Sequence, residues 1–177
     1  MKFTWFGEKT IRLQMAGRII VVDPDKAPEQ IDKAELISGA DNVLAFADPL
    51  TNEIDLATWK LPSPRALIDQ GGSADVEFQR VARAGMIAQS SEEGGLLLAD
   101  ARQQVAWGRW ADGLVVILLG NADACASAGL AMLEQSRPKM IALACGEDGL
   151  DDAIARLRPH VGRTPLQVLE PNLAVEV

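Results

Sequence analysis

Few residues in this 177-residue chain can do chemistry, and that scarcity is informative. There is one histidine, His160, and there are two cysteines, Cys125 and Cys145. Histidine-rich metal centres need several imidazoles, so the count alone excludes most of that chemistry. His160 and Cys145 are separated by a predicted helix, which holds a base away from a nucleophile. Just past that helix, His160 suits the negative end of the dipole. Cys125 sits on a predicted helix and Cys145 ends a predicted strand, so they form no disulfide framework. Trp107 and Trp110 flank Gly108-Arg109. An arginine between two indoles can hold an anionic or planar ligand; packing at a strand end, with Arg109 solvated, is the alternative. Gly71-Gly72, before Ser73, and Gly94-Gly95 lack the spacing of a phosphate loop and read as turns.

These residues must be positioned by two kinds of structure. The first 23 residues read as a β-meander, with strands Lys2–Phe6, Thr10–Met15 and Arg18–Val22 separated by Gly7-Glu8-Lys9 and Ala16-Gly17. Asp23-Pro24 stops the third strand. Asp25–Gly39 is polar with a weak helical period, and Asn42–Ala47 is a further strand. Ile54–Trp59 reads as a short helix ending before Pro62 and Pro64, followed by a strand at Arg65–Asp69. Val76–Arg83 fits either strand or helix. Gly85–Ser91, Gly95–Ala99 and Gln103–Trp107 read as successive strands, with Asp100–Arg102 a turn.

The last third is different. Leu114–Leu119 is wholly apolar, as in a strand buried on both faces. Asn121 can cap a helix to about Gln135, with Cys125, Ala128, Met132 and Leu133 on one stripe. Strand, Gly120 and helix together resemble half of a nucleotide-binding fold, but one glycine is no fingerprint. Met140–Ala144 is a second buried strand. The next helix carries Asp151-Asp152 near its start and Arg156 and Arg158 near its end, matching the macrodipole. Pro159 and Gly162 end it, and Leu166–Leu169 supplies a last strand.

Composition bounds the partners. The net charge is −8 and neither half of the chain is basic, so there is no electrostatic footprint for nucleic acid or for an anionic membrane. No apolar run approaches the ~18 residues of a membrane span. The opening residues form a strand pattern without a signal-peptide core. We therefore expect one domain over residues 1–177, in a reducing, cytoplasmic setting.

The opening Met1-Lys2-Phe3-Thr4-Trp5-Phe6-Gly7, with Arg18–Val22 and Asp23-Pro24, resembles the start of metallo-β-lactamase-fold hydrolases. It is most similar to the branch of the ascorbate-phosphate lactonases. Ala40-Asp41-Asn42-Val43-Leu44 resembles the strand that leads into that family's metal loop. Gln103–Trp110 resembles the strand ending in its Gly-Asp, and Arg137-Pro138-Lys139-Met140-Ile141 resembles the segment before its late histidine. The resemblance implies a compact α/β fold, a four-layer αββα sandwich with trimmed loops. It also implies zinc ligands from a His-x-His-x-Asp-His loop and later Asp and His residues.

Those ligands do not carry over. The loop falls on residues 45–52, where Ala47, Asp48, Pro49 and Asn52 stand without a histidine. Glu8 replaces the early histidine, Arg109 falls at the bridging aspartate and Cys145 at the late histidine. A cation such as Arg109 at a bridging carboxylate opposes a metal. We expect a metal-free, cofactor-free relative acting as a binding or interaction module, with a homo-oligomer or a protein partner left open. Two alternatives stand beside it. One is a metal-dependent hydrolase using Glu8, Asp48 and Cys145, and the other is a binder of small anions through Arg109.

Overall fold

The computed structural model describes residues 1–46, 51–62 and 75–177. The expected meander is present as β1 (Lys2–Gly7), β2 (Thr10–Met15) and β3 (Arg18–Val22), paired antiparallel. Period-two alternation sends Phe3, Trp5, Ile11, Leu13, Met15, Ile20 and Val22 to one buried face. A short helix, α1 (Lys33–Ile37), starts where the Asp32 carboxylate accepts hydrogen bonds from the amides of Ala34 and Glu35. β4 (Asn42–Leu44) then pairs parallel with β3.

The second sheet contains β5 (Asn52–Glu53), β6 (Glu77–Val81), β7 (Gly85–Ser90), β8 (Gly94–Asp100), β9 (Val115–Leu119), β10 (Met140–Ala144) and β11 (Leu166–Val168). Its order is β11-β10-β9-β8-β7-β6-β5. β6, β7 and β8 are antiparallel, whereas β8 through β11 run parallel. Two helices make the parallel crossovers, α2 (Ala122–Gln135) and α3 (Leu150–Leu157). Asn121 caps α2 as expected, its Oδ1 accepting from the Ala124 amide at 2.8 Å. A Cβ placed on Gly129 would sit 2.8 Å from Leu157 Cδ2, so the two helices approach at the limit a glycine allows.

The sheets face each other across one core, where Phe3, Leu13 and Ile20 meet Met86, Leu96, Leu98, Ile117 and Ala142. A second core lies on the far face of the second sheet, joining Leu97, Val116, Leu118 and Leu143 to Met132 and Leu157 of the helices. The arrangement is the expected α/β sandwich. The layer outside the first sheet is thin: α1 buries Leu36 there, while Ile37 and Val43 stay exposed.

Some segments depart from the sequence reading. Val76–Arg83 resolves as strand β6. Gln103–Trp107 is irregular, because Asp100 ends the strand with a side-chain turn onto the Arg102 amide and a backbone turn onto Gln103. Ile54–Trp59 makes one turn and no helix; Asp55 ties that turn by accepting from the Ala57 amide and the Thr58 hydroxyl. A last strand absent from the expectation, β12 (Ala174–Glu176), pairs antiparallel with β1. The expected strand at 65–69 lies outside the described residues.

Candidate functional site

Because β8, β9 and β10 are parallel and in register, with Asp100 opposite Leu119 and Leu119 opposite Ala144, they end side by side. The chain therefore leaves the sheet at three adjacent points: Ala101-Arg102, Gly120-Asn121 and Cys145-Gly146. Open parallel sheets place ligand clefts beyond such ends. The β1–β2 turn of the first sheet meets them there, and Trp5, Glu8, Lys9, Arg102, Asn121 and Asp148 help line a cleft of about 490 Å³. That turn is tightly specified. Gly7 has φ +120°, and a Cβ on it would lie 2.8 Å from Pro28 Cγ. Glu8 adopts a left-handed φ of 46°, and its carbonyl accepts from Trp5 Nε1 at 3.1 Å.

Asp100 is the electrostatic centre of this end. Its side chain is 4% exposed, and it faces two cations from opposite sheets. Lys9 Nζ lies 2.8 Å from Oδ2. Arg102 donates from Nε to Oδ1 at 3.0 Å and from its terminal nitrogen to Oδ2 at 3.3 Å. Lys9 also sits 4.5 Å over the ring of Phe46. Burial by itself would raise the Asp100 pKa, but the hydrogen bonds from Arg102 and Lys9 outweigh it and hold the carboxyl at about 2.

Cys125 and Cys145 are both buried on the helix side of the sheet, and the Cys125 thiol donates to the Leu118 carbonyl at 3.4 Å. Burial, reinforced by Cys145, pushes the Cys125 thiol up to about 12. Burial also raises Cys145, with Cys125 opposing the shift. Both therefore stay protonated at neutral pH, which does not suit a nucleophile.

The structure brings Glu8 to the cleft. Cys145 borders it in sequence, but its side chain packs into the core under the helices. Asn52 is exposed on β5, at the far edge of the second sheet. Ala47, Asp48 and Pro49 lie outside the described residues. His160 is exposed beyond the end of α3, apart from the buried Cys145. Arg109 is not at the cleft. Since β8 and β9 are parallel, residues 101–113 must return along the sheet, by about 16 Å for a five-residue strand. Arg109 accordingly opens a 3-10 turn, Arg109–Ala111, near the start of β9. The strand that ends in an aspartate is β8, so the buried carboxylate is Asp100. Lys9, Asp100 and Arg102 went unrecognised as a group. The available signal was the apolar run Leu96–Ala99 closing on a carboxylate, which when buried must find a partner.

A second cavity, of about 910 Å³, opens at that opposite end. Trp107 stacks on Trp110 with ring centroids 5.6 Å apart and planes 11° from parallel. Trp59 stands at 75° to Trp110, at 6.3 Å. Trp110 is buried and donates to the Ala106 carbonyl at 3.0 Å, while Trp59 donates to Gln79 Oε1 at 2.6 Å.

As they stand, the residues of the strand-end cleft do not fit a metal. Its buried carboxylate is already taken by two cations, both thiols pack into the core under the helices, and no three His, Cys, Asp or Glu side chains converge among the described residues. Also among these residues, no helix is long and apolar enough to cross a membrane. No protein-family model matches the sequence, and no curated protein matches it. Among solved structures, the chain is similar to Igni18, a metallo hydrolase from the hyperthermophilic archaeon Ignicoccus hospitalis. The identity is 12% and the TM-score 0.54, over 99% of this chain and 98% of that one. The fold is that of a metallo hydrolase.

Proposed function

We propose that this protein is a metal-free relative within the metallo-hydrolase fold that acts as a binding module and does not hydrolyse a substrate. One observation carries the reading. Asp100, the buried carboxylate at the end of a central strand beside the cleft, is held by Lys9 and Arg102. Two protein cations supply the positive charge that a bound ion would otherwise bring, and a further divalent ion would meet repulsion from both. The cleft beside them keeps its volume and its Trp5 wall, so a ligand can be held there without an activated water.

Elemental analysis of protein purified without added metal tests this, together with calorimetric titration of zinc and manganese. The expected result is less than a tenth of an equivalent of either metal and no binding heat, on the scale of sites that hold zinc tightly. One equivalent per chain, lost in Asp100→Asn, would overturn it in favour of a metal-dependent hydrolase.

A further inference from the structure

We propose that the tryptophan corner near the start of β9 is a binding site for a small planar aromatic carboxylate. It is separate from the strand-end cleft and does not depend on the reading given there.

Three of the four tryptophans in the chain gather at this one cavity. Trp110 is buried and backs the stack, so Trp107, half-exposed, offers an indole face outward. Trp59 supplies a wall close to perpendicular. The hydrogen bonds from Trp59 to Gln79 and from Trp110 to Ala106 fix both rings before any ligand arrives, which lowers the cost of binding. A rigid right-angled aromatic corner selects a flat ring, by stacking on one face and edge contact with the other. A volume of about 910 Å³ accommodates a molecule of two fused rings.

The free hydrogen-bond donors at the rim point to the ligand's polar group. Four ionic groups border the cavity: Asp55, Lys60, Arg109 and Asp112. Both carboxylates are occupied. Asp55 accepts from the Ala57 amide and the Thr58 hydroxyl, each at 3.0 Å, and Asp112 accepts from the Arg137 amide at 2.7 Å. The cations are more open. Lys60 is exposed and has no ion pair among the described residues. The Arg109 side chain is 92% exposed, and its one ion pair among the described residues, to Asp112, is at 3.5 Å. Such an exposed pair is readily given up, and a guanidinium accepts a carboxylate in a two-point geometry that a lysine cannot match. The rim carries as many carboxylates as cations. Both carboxylates already accept hydrogen bonds from the protein, whereas the donors of Arg109 face solvent. The guest that this arrangement suits is one that accepts from a guanidinium, a carboxylate above all.

The test is isothermal titration calorimetry of the full chain with 2-naphthoate. The neutral 2-naphthalenemethanol and the non-planar cyclohexanecarboxylate serve as the two control arms. We expect one equivalent of 2-naphthoate, bound about tenfold more tightly than either control, since stacking and the charged pair each contribute on the order of 1 kcal/mol or more. Arg109→Ala should cost about tenfold for naphthoate and leave the alcohol unchanged. Trp107→Ala should weaken both aromatic ligands, and Trp107→Leu keeps the bulk if the alanine variant is unstable. Absence of naphthoate binding overturns the proposal, as does equal affinity for the alcohol or for cyclohexanecarboxylate. An unaltered affinity in Arg109→Ala, a fully exposed position whose fold is secure, overturns it independently.

Discussion

The two ends of the second sheet handle charge in opposite ways. At the C-terminal ends of β8, β9 and β10, Asp100 is buried and gathers Lys9 and Arg102 within 3.0 Å. At the other end, Arg109 and Lys60 stand exposed beside three indoles, and the one pair seen there, Arg109 with Asp112, is exposed and 3.5 Å long. The first end has closed its electrostatics internally, and so its charges serve stability. The second has left its cations available, and so they can serve a ligand. Position in the fold does not by itself decide which charges are free to meet a ligand; the partners they already hold do.

The contrast can be broken most sharply at Asp100. Asp100→Asn strips the charge from a buried partner of two cations and should destabilise the protein by about 2–3 kcal/mol in urea unfolding, close to the cost of breaking a buried pair. A loss under 0.5 kcal/mol would mean that the cluster is incidental. The same carboxyl sets a pH dependence. Its folded pKa, about 2, lies below its ordinary 3.8, so its contribution is complete above about pH 4 and is lost as pH falls towards 2. Unfolding curves across that window should show the advantage of wild type over Asp100→Asn shrinking by about 2 kcal/mol. Lys9→Met leaves Asp100 with Arg102 and should cost less, about 1 kcal/mol. Arg109→Ala should be the mildest, within about 0.5 kcal/mol in the same assay. A larger loss at Arg109 than at Lys9 would reverse the assignment of the two ends.

Much of this architecture is readable from pattern. The alternating meander, the apolar runs at 115–119 and 140–144, and the Asn121 cap each follow from local rules, and each falls within a residue or two of its element. What escaped was non-local. Asp100 reads as a turn residue until Lys9, ninety-one positions earlier, is brought against it by the packing of two sheets. Arg109 reads as part of a strand because Gln103–Trp107 has strand-forming residues, yet a parallel β8–β9 pair demands a return crossing there. Glu8 was identifiable because it sits in the hairpin turn itself, one residue after the glycine that makes the turn. Cys145 stands at the strand end that the sequence pattern predicts, but the alternation that turns Ala144 towards the first sheet turns Cys145 away from it.

The pairing of β12 with β1 has a kinetic consequence. Lys2 finds Glu176, and Phe3 finds Val175, only after nearly the whole chain is available. The meander can form from neighbours in sequence within microseconds, whereas closing it across such a span carries the full loop entropy and comes late. Until then the β1 edge presents unpaired amides and carbonyls to any strand in reach. Once docked, the last strand replaces the six-residue edge of β1 with one of three residues, which leaves less free backbone for a second copy of the chain to pair with.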